Sequence, residues 1–195
     1  METQNKTVYE LIFKTRNLFV DIAMLILSVV VLGIMANIRV PLWPVPVTLQ
    51  TFGLLLIAFF FGSKKGVLSV FAYLLAGLFG FGVFTGYKSG MSAFLGPTAG
   101  YLVGFIFMVF LVGYLVEKGF ATSKRKMLYA MVAGEVALFI FGLTGLSFYL
   151  GHPGLLNVLQ LGLFPFLIGD ALKIAVASTL FPYVYKGAES LAKSI

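Results

Sequence analysis

The sequence predicts an all-α polytopic membrane protein, a six-transmembrane-helix bundle with both termini cytoplasmic. Three observations carry this reading. Of 195 residues, 60% are hydrophobic and only 11% charged, against roughly a quarter charged in a soluble domain, so the chain cannot cover a water-facing surface with polar groups. Six apolar runs approach the about 20 residues that cross a hydrocarbon core. Basic residues gather in alternate connections between those runs. The chain reads as a single transmembrane domain over residues 1–195.

Residues 1–17 form a polar N-terminal segment. The apolar run after it, Leu18–Ala36, reads as the first span, because no small-residue cleavage site and soluble domain follow as they do after a signal peptide. The second and third spans, Val47–Gly62 and Gly66–Gly82, are short and separated by Ser63-Lys64-Lys65, which reads as a tight turn. Thr98–Val116, Met127–Phe148 and Phe164–Tyr185 complete the set.

Charge then orients the bundle. Lys6, Lys14, Arg16, Lys64, Lys65, Lys118, Lys124, Arg125, Lys126, Lys186 and Lys193 all fall on one side. The opposite side holds only Arg39 and Lys88, and Lys173 lies inside the last span. The excess of cations marks the cytoplasmic face. The outer connections, Asn37–Pro46, Phe81–Pro97 and Tyr149–Leu163, are longer and irregular. The first carries Pro41, Pro44, Pro46 and Trp43. Between Gly77 and Gly100 stand seven glycines, which either let backbone approach a ligand closely or serve turns and helix packing.

Composition removes several function classes. There is no cysteine and His152 is the only histidine, which excludes disulfides, thiolate metal sites and histidine clusters. The formal charge of +7 reads as topology signal and contact with anionic lipid, not nucleic-acid binding, since no basic stretch is long or interleaved with aromatics. No G-x-x-x-x-G-K-[ST] loop or H-E-x-x-H motif occurs. No catalytic residue, metal or cofactor is expected.

Ionisable groups inside spans are costly and point to function by default. Asp21, near the start of the first span, reads as an interfacial charge. Glu135, a third of the way into the fifth, reads equally as a structural group or as part of a proton path. Asp170 and Lys173 stand three apart, on one face of a helix, close to the outer end of the last span, with Pro165 suited to its first turn. They form either an ion pair that eases insertion or a ligand clamp. An ionised Asp only accepts and a Lys only donates, which suits a small ligand with N–H donors beside an oxygen acceptor.

Three ordered motifs, Pro44-Val-Pro-Val-Thr-Leu-Gln50, Phe94-Leu-Gly-Pro-Thr-Ala-Gly-Tyr101 and Phe164-Pro-Phe-Leu-Ile-Gly-Asp-Ala-Leu-Lys173, resemble the BioY family of biotin transporters. These are the substrate-binding S components of energy-coupling-factor (ECF) vitamin uptake systems. The resemblance runs from about residue 40 to residue 182. It implies a six-helix bundle in a bacterial cytoplasmic membrane that binds biotin near the outer surface, as substrate and not as cofactor. The implied partners are a membrane coupling protein and ATP-hydrolysing subunits.

Asp170 and Lys173 match the family's Asp and Lys three apart, and Tyr101 matches the Tyr ending its G-P-T-x-G-Y motif. The resemblance thus implies Asp170 accepting from, and Lys173 donating to, the ureido ring. Lys88 becomes a partner for the carboxylate, Gln50 and Thr48 stand within reach, and Phe84 and Phe94 would cover the thiophane ring and chain. Two departures stand out. Gly80-Phe-Gly-Val83 replaces the family's G-L-P-V, and the first span lacks an A-x-x-x-A docking motif, Ala23 being followed four residues on by Leu27. Two further readings are a solitary proton-coupled transporter of biotin or a related small anion, working through Glu135, and a membrane enzyme acting on lipid. The last lacks any partner nucleophile or metal for Asp170.

Overall fold

The computed structural model describes residues 6–13 and 17–194. Lys14 and Arg16, two of the cations used to orient the bundle, lie outside the described residues. Nearly all of the rest is helical: α1 (Val8–Ile12), α2 (Leu18–Asn37), α3 (Gln50–Leu78), α4 (Ala99–Glu117), α5 (Lys124–Tyr149), α6 (Leu155–Gly162) and α7 (Phe164–Ser194). Two two-residue strands, β1 (Arg39–Val40) and β2 (Val47–Thr48), form an antiparallel ribbon ahead of α3. Five of the described helices, α2, α3, α4, α5 and α7, are long and apolar enough to cross a membrane.

The difference from six lies in α3. Predicted spans 47–62 and 66–82 join into one helical run, Gln50–Leu78, broken by a single residue, Gly62, at φ 75° and ψ −162°. The break is therefore at Gly62, while Ser63, Lys64 and Lys65 are helical. It is a reversal and not a bend. The Gln50 Nε2 donates to the Tyr73 hydroxyl at 2.9 Å, although 23 residues of straight helix would separate these residues by about 35 Å. Glycine is required there: a Cβ would meet the Glu117 carboxylate and come within 2.7 Å of Thr7 Cγ2. Glu117 then caps the second arm, accepting from the Ser63 N–H at 2.7 Å and its hydroxyl at 2.9 Å.

Packing is tightest where small residues let backbones meet. Gly100 and Gly145 bring α4 against α5, a Cβ on Gly100 falling 2.8 Å from Gly145 Cα. Gly66 admits Val109 of α4 in the same way. By contrast α2 buries only Ser28, Leu32 and Ala36, one narrow stripe at four-residue spacing, and it leans on α3 through Leu32 and Met35 beside Gly53.

Two other expectations change. The connection 149–163 is not wholly irregular, since it contains α6, and the last helix runs to Ser194, beyond the predicted 185. At the end of the bundle carrying Gly62, α1 fills the space between α3 and α7. Tyr9 packs on Phe13, Phe60 and Phe61, and its hydroxyl and Lys65 both engage Asp21. Asp21 is thus a paired charge.

Candidate ligand cavity

The opposite end of the bundle encloses a cavity of about 650 Å³. Its walls come from the ribbon and its prolines, the start of α3, the loop after α3, and the facing sides of α4, α5 and α7. Seven of the eight residues singled out as ligand contacts line it: Asp170, Lys173, Tyr101, Lys88, Gln50, Thr48 and Phe84. Phe94 does not. It stands behind the wall, its ring edge-on to Phe84 at 5.6 Å between centroids, and so supports the lining without forming it.

Asp170 and Lys173 share one face of α7 at a separation of 2.8 Å, with side chains 6% and 11% exposed. Thr51 completes the group, its hydroxyl donating to Asp170 Oδ1 at 3.0 Å and accepting from Lys173 Nζ at 2.9 Å. Lys173 also donates to the Thr48 carbonyl at 2.6 Å. An ammonium has three donors, and all three are engaged. Asp170 Oδ2 is different: it is buried and has no hydrogen-bond partner among the described residues. A buried acceptor left unbonded costs roughly 1–3 kcal/mol, and a donor supplied by a ligand removes that cost.

Tyr101 is buried and its hydroxyl donates to the Gly162 carbonyl at 2.6 Å. Its ring occupies space that Gly142 leaves open, since a Cβ on Gly142 would lie 2.5 Å from the ring atoms. The ring stacks on Phe166 at 6.0 Å, giving the cavity a flat aromatic wall. Across from it, the Tyr73 hydroxyl accepts from Gln50 and donates to the Val83 carbonyl at 3.1 Å. Phe84 lies edge-on to Tyr73 at 5.4 Å. The inner walls thus set aromatic rings beside two polar groups, Asp170–Lys173–Thr51 and Gln50–Tyr73.

Thr51 and Tyr73 were missed by sequence reasoning. Thr51 directly follows the Pro44–Gln50 motif and faces α7 from the first turn of α3, so its place next to that motif was a usable signal. Tyr73 had none, because only the reversal at Gly62 returns it to Gln50. Glu135 does not line the cavity. It is buried on α5 one turn from Leu138, which does, and neither of its oxygens has a partner among the described residues.

The sequence model of the BioY family matches residues 4–190. The chain is 39% identical over 153 residues to the biotin transporter BioY of Thermotoga maritima, an overlap covering 78% of this chain and 87% of that protein. It is 34% identical over 159 residues to the biotin transporter BioY of Rhizobium etli, covering 78% and 84%. Among solved structures it resembles the S-component for biotin from an ECF-type ABC transporter, with a TM-score of 0.77 at 28% identity, over 88% of this chain and 94% of that one. The paired Asp and Lys on the last helix and these likenesses lead to one conclusion: the chain belongs to the BioY family.

Proposed function

We propose that the cavity holds biotin with its ureido ring against Asp170 and Lys173, as the capture step of biotin uptake. The chain is the biotin-specific S component of an ECF-type transporter, a multi-pass membrane transport protein and not an enzyme. The observation that carries the binding mode is the Asp170 Oδ2 acceptor, buried at the cavity floor and unbonded among the described residues. A ureido ring presents two N–H donors beside a carbonyl. One N–H satisfies Oδ2, while Lys173 meets the carbonyl by exchanging one of its three protein acceptors. Tyr101 and Phe84 cover the apolar bicycle, Gln50 and Thr48 border it, and Lys88 faces the acid tail.

The same reading makes the two arms of α3 separate crossings, for six in all, with both termini in the cytoplasm of a bacterial cell and the cavity facing out. The driving energy then comes from a membrane coupling protein and ATP-hydrolysing subunits. Titrating biotin into purified protein tests the reading: saturable binding at one site per chain is expected. No binding by the wild-type protein would sink it.

A further inference from the structure

Two cations stand at the mouth of the cavity without counter-charges among the described residues. Arg39 and Lys88 both line it and are both exposed. Neither makes an ion pair or a side-chain hydrogen bond among the described residues. The described acids are committed elsewhere: Glu10 bonds to Thr7, Asp21 to Lys65, Glu117 to Ser63, and Glu189 to Lys193. Glu135 and Asp170 lie inside the bundle.

Both cations are held by built structure. Arg39 in β1 is paired directly with Thr48 in β2, and residues opposite one another in such a ribbon point to the same face. The Thr48 carbonyl accepts from Lys173, so the ribbon ties Arg39 in register with the polar floor. Lys88 closes a tight loop in which the Phe84 N–H donates to the Lys88 carbonyl at 3.1 Å. Asn37 pins that loop to the end of α2. Its Oδ1 accepts from the N–H groups of Gly86 and Tyr87 at 2.8 and 3.0 Å, and its Nδ2 donates to the carbonyls of Gly33 and Phe84 at 2.8 and 3.3 Å. A Cβ on Gly86 would come within 2.9 Å of Arg39 Nη1, so the guanidinium lies against the pinned turn. Asn37 thus holds the loop that carries Lys88 against Arg39.

We propose that Arg39, with Lys88, forms an anion-binding subsite at the cavity mouth that takes the carboxylate of the ligand and selects the acid over its neutral derivatives. The inference rests on the biotin reading and adds to it the residue that reads the acid tail. A guanidinium fork matches a carboxylate with two parallel hydrogen bonds, which an ammonium cannot reproduce. A mouth with cations and no acids also concentrates anions before they bind.

The experiment compares biotin with biotin amide, which keeps the ureido ring and the chain but has no charge. Equilibrium binding is measured for wild-type protein, Arg39→Gln, Arg39→Lys and Lys88→Gln, at low and high salt. Wild type is expected to prefer biotin by about tenfold or more, the scale of a charge-assisted bond, with the preference shrinking as salt rises. Arg39→Gln is expected to lower biotin affinity about tenfold while leaving the amide within about twofold, and Arg39→Lys to restore part of the preference. Equal loss for both ligands in Arg39→Gln, or an undiminished preference, would overturn the subsite. Wild-type protein that binds neither ligand would overturn the biotin reading itself, and wild-type protein that binds both equally would overturn the subsite alone.

Discussion

Replacing Asp170 by Asn tests the floor of the cavity with almost no change of shape. In the native protein Oδ1 accepts from Lys173 at 2.8 Å and from Thr51 at 3.0 Å, while Oδ2 has no partner among the described residues. An Asn keeps its oxygen where Lys173 and Thr51 need an acceptor, which forces its NH₂ into the place of Oδ2. In the proposed binding mode a donor then confronts the ureido N–H. The loss combines a charge-assisted hydrogen bond, about 1.5–3 kcal/mol, with an unsatisfied buried N–H, about 1–3 kcal/mol. Together these come to roughly 2.5–6 kcal/mol, or about two to four powers of ten in Kd.

Stability must be separated from affinity, because breaking a buried ion pair costs about 3–5 kcal/mol when no acceptor remains. Here the amide oxygen and the Thr48 carbonyl remain for Lys173, so the cost to folding is expected below that range. The assay is calorimetric titration with biotin, paired with thermal unfolding in the presence and absence of ligand. Biotin should raise the melting temperature of the wild-type protein and leave that of the variant unmoved. Thr51→Val serves as the control, since it removes one bond to Oδ1 and one from Lys173 but spares Oδ2, and its affinity should fall by less than about tenfold. An Asp170→Asn protein that binds biotin within about threefold of wild type would refute the assignment of Oδ2 as the ureido acceptor.

Three further outcomes follow from the geometry. Gly62→Ala forces a side chain onto a residue at φ 75°, against Glu117 and Thr7; a loss of about 2–4 kcal/mol is expected from strain and displacement together, read as a lower unfolding midpoint in detergent. An unchanged midpoint would show that the α3 reversal does not depend on glycine. Glu135→Gln keeps the size of a buried side chain that does not line the cavity, so biotin affinity and ATP-driven uptake should both stay within about twofold of wild type; wild-type uptake in cells lacking the ATP-hydrolysing subunits, abolished by Glu135→Gln with binding intact, would instead support the proton-coupled reading. The chain has no cysteine, so single cysteines at Thr85 and Lys124 can be labelled by a membrane-impermeant thiol reagent in intact cells. Labelling at Thr85 alone is expected, and labelling at Lys124 alone would invert the proposed orientation.

The helices were legible from hydropathy because a membrane span announces itself by length and lack of charge, properties that belong to local sequence. Leu18–Asn37, Ala99–Glu117 and the start of the last helix at Phe164 sit within a residue or two of where the apolar runs placed them. The Asp170–Lys173 pair was legible for the same reason: two charges three residues apart in an apolar run share a helix face wherever that helix packs. Boundaries set by polar residues were less secure. Ser63-Lys64-Lys65 looked like the turn, yet the chain reverses at Gly62 and those residues begin the second arm of α3, where Glu117 of α4 caps Ser63 and Asp21 of α2 pairs with Lys65.

What the sequence determined by itself was the solvent of this protein, the identity of its apolar spans and the chemistry carried on its last helix, since each follows from residues close together in the chain. Tertiary structure alone decided what those residues face. It put Thr51 and the Thr48 carbonyl, more than a hundred residues earlier, around Lys173. It returned Tyr73 to Gln50 through one residue of positive φ, moved Phe94 behind the cavity wall, and left Asp170 Oδ2 as an acceptor with no donor among the described residues. Such contacts depend on where separate helices meet, and helix-to-helix geometry is set by glycines and side-chain shapes at crossings that no local pattern encodes.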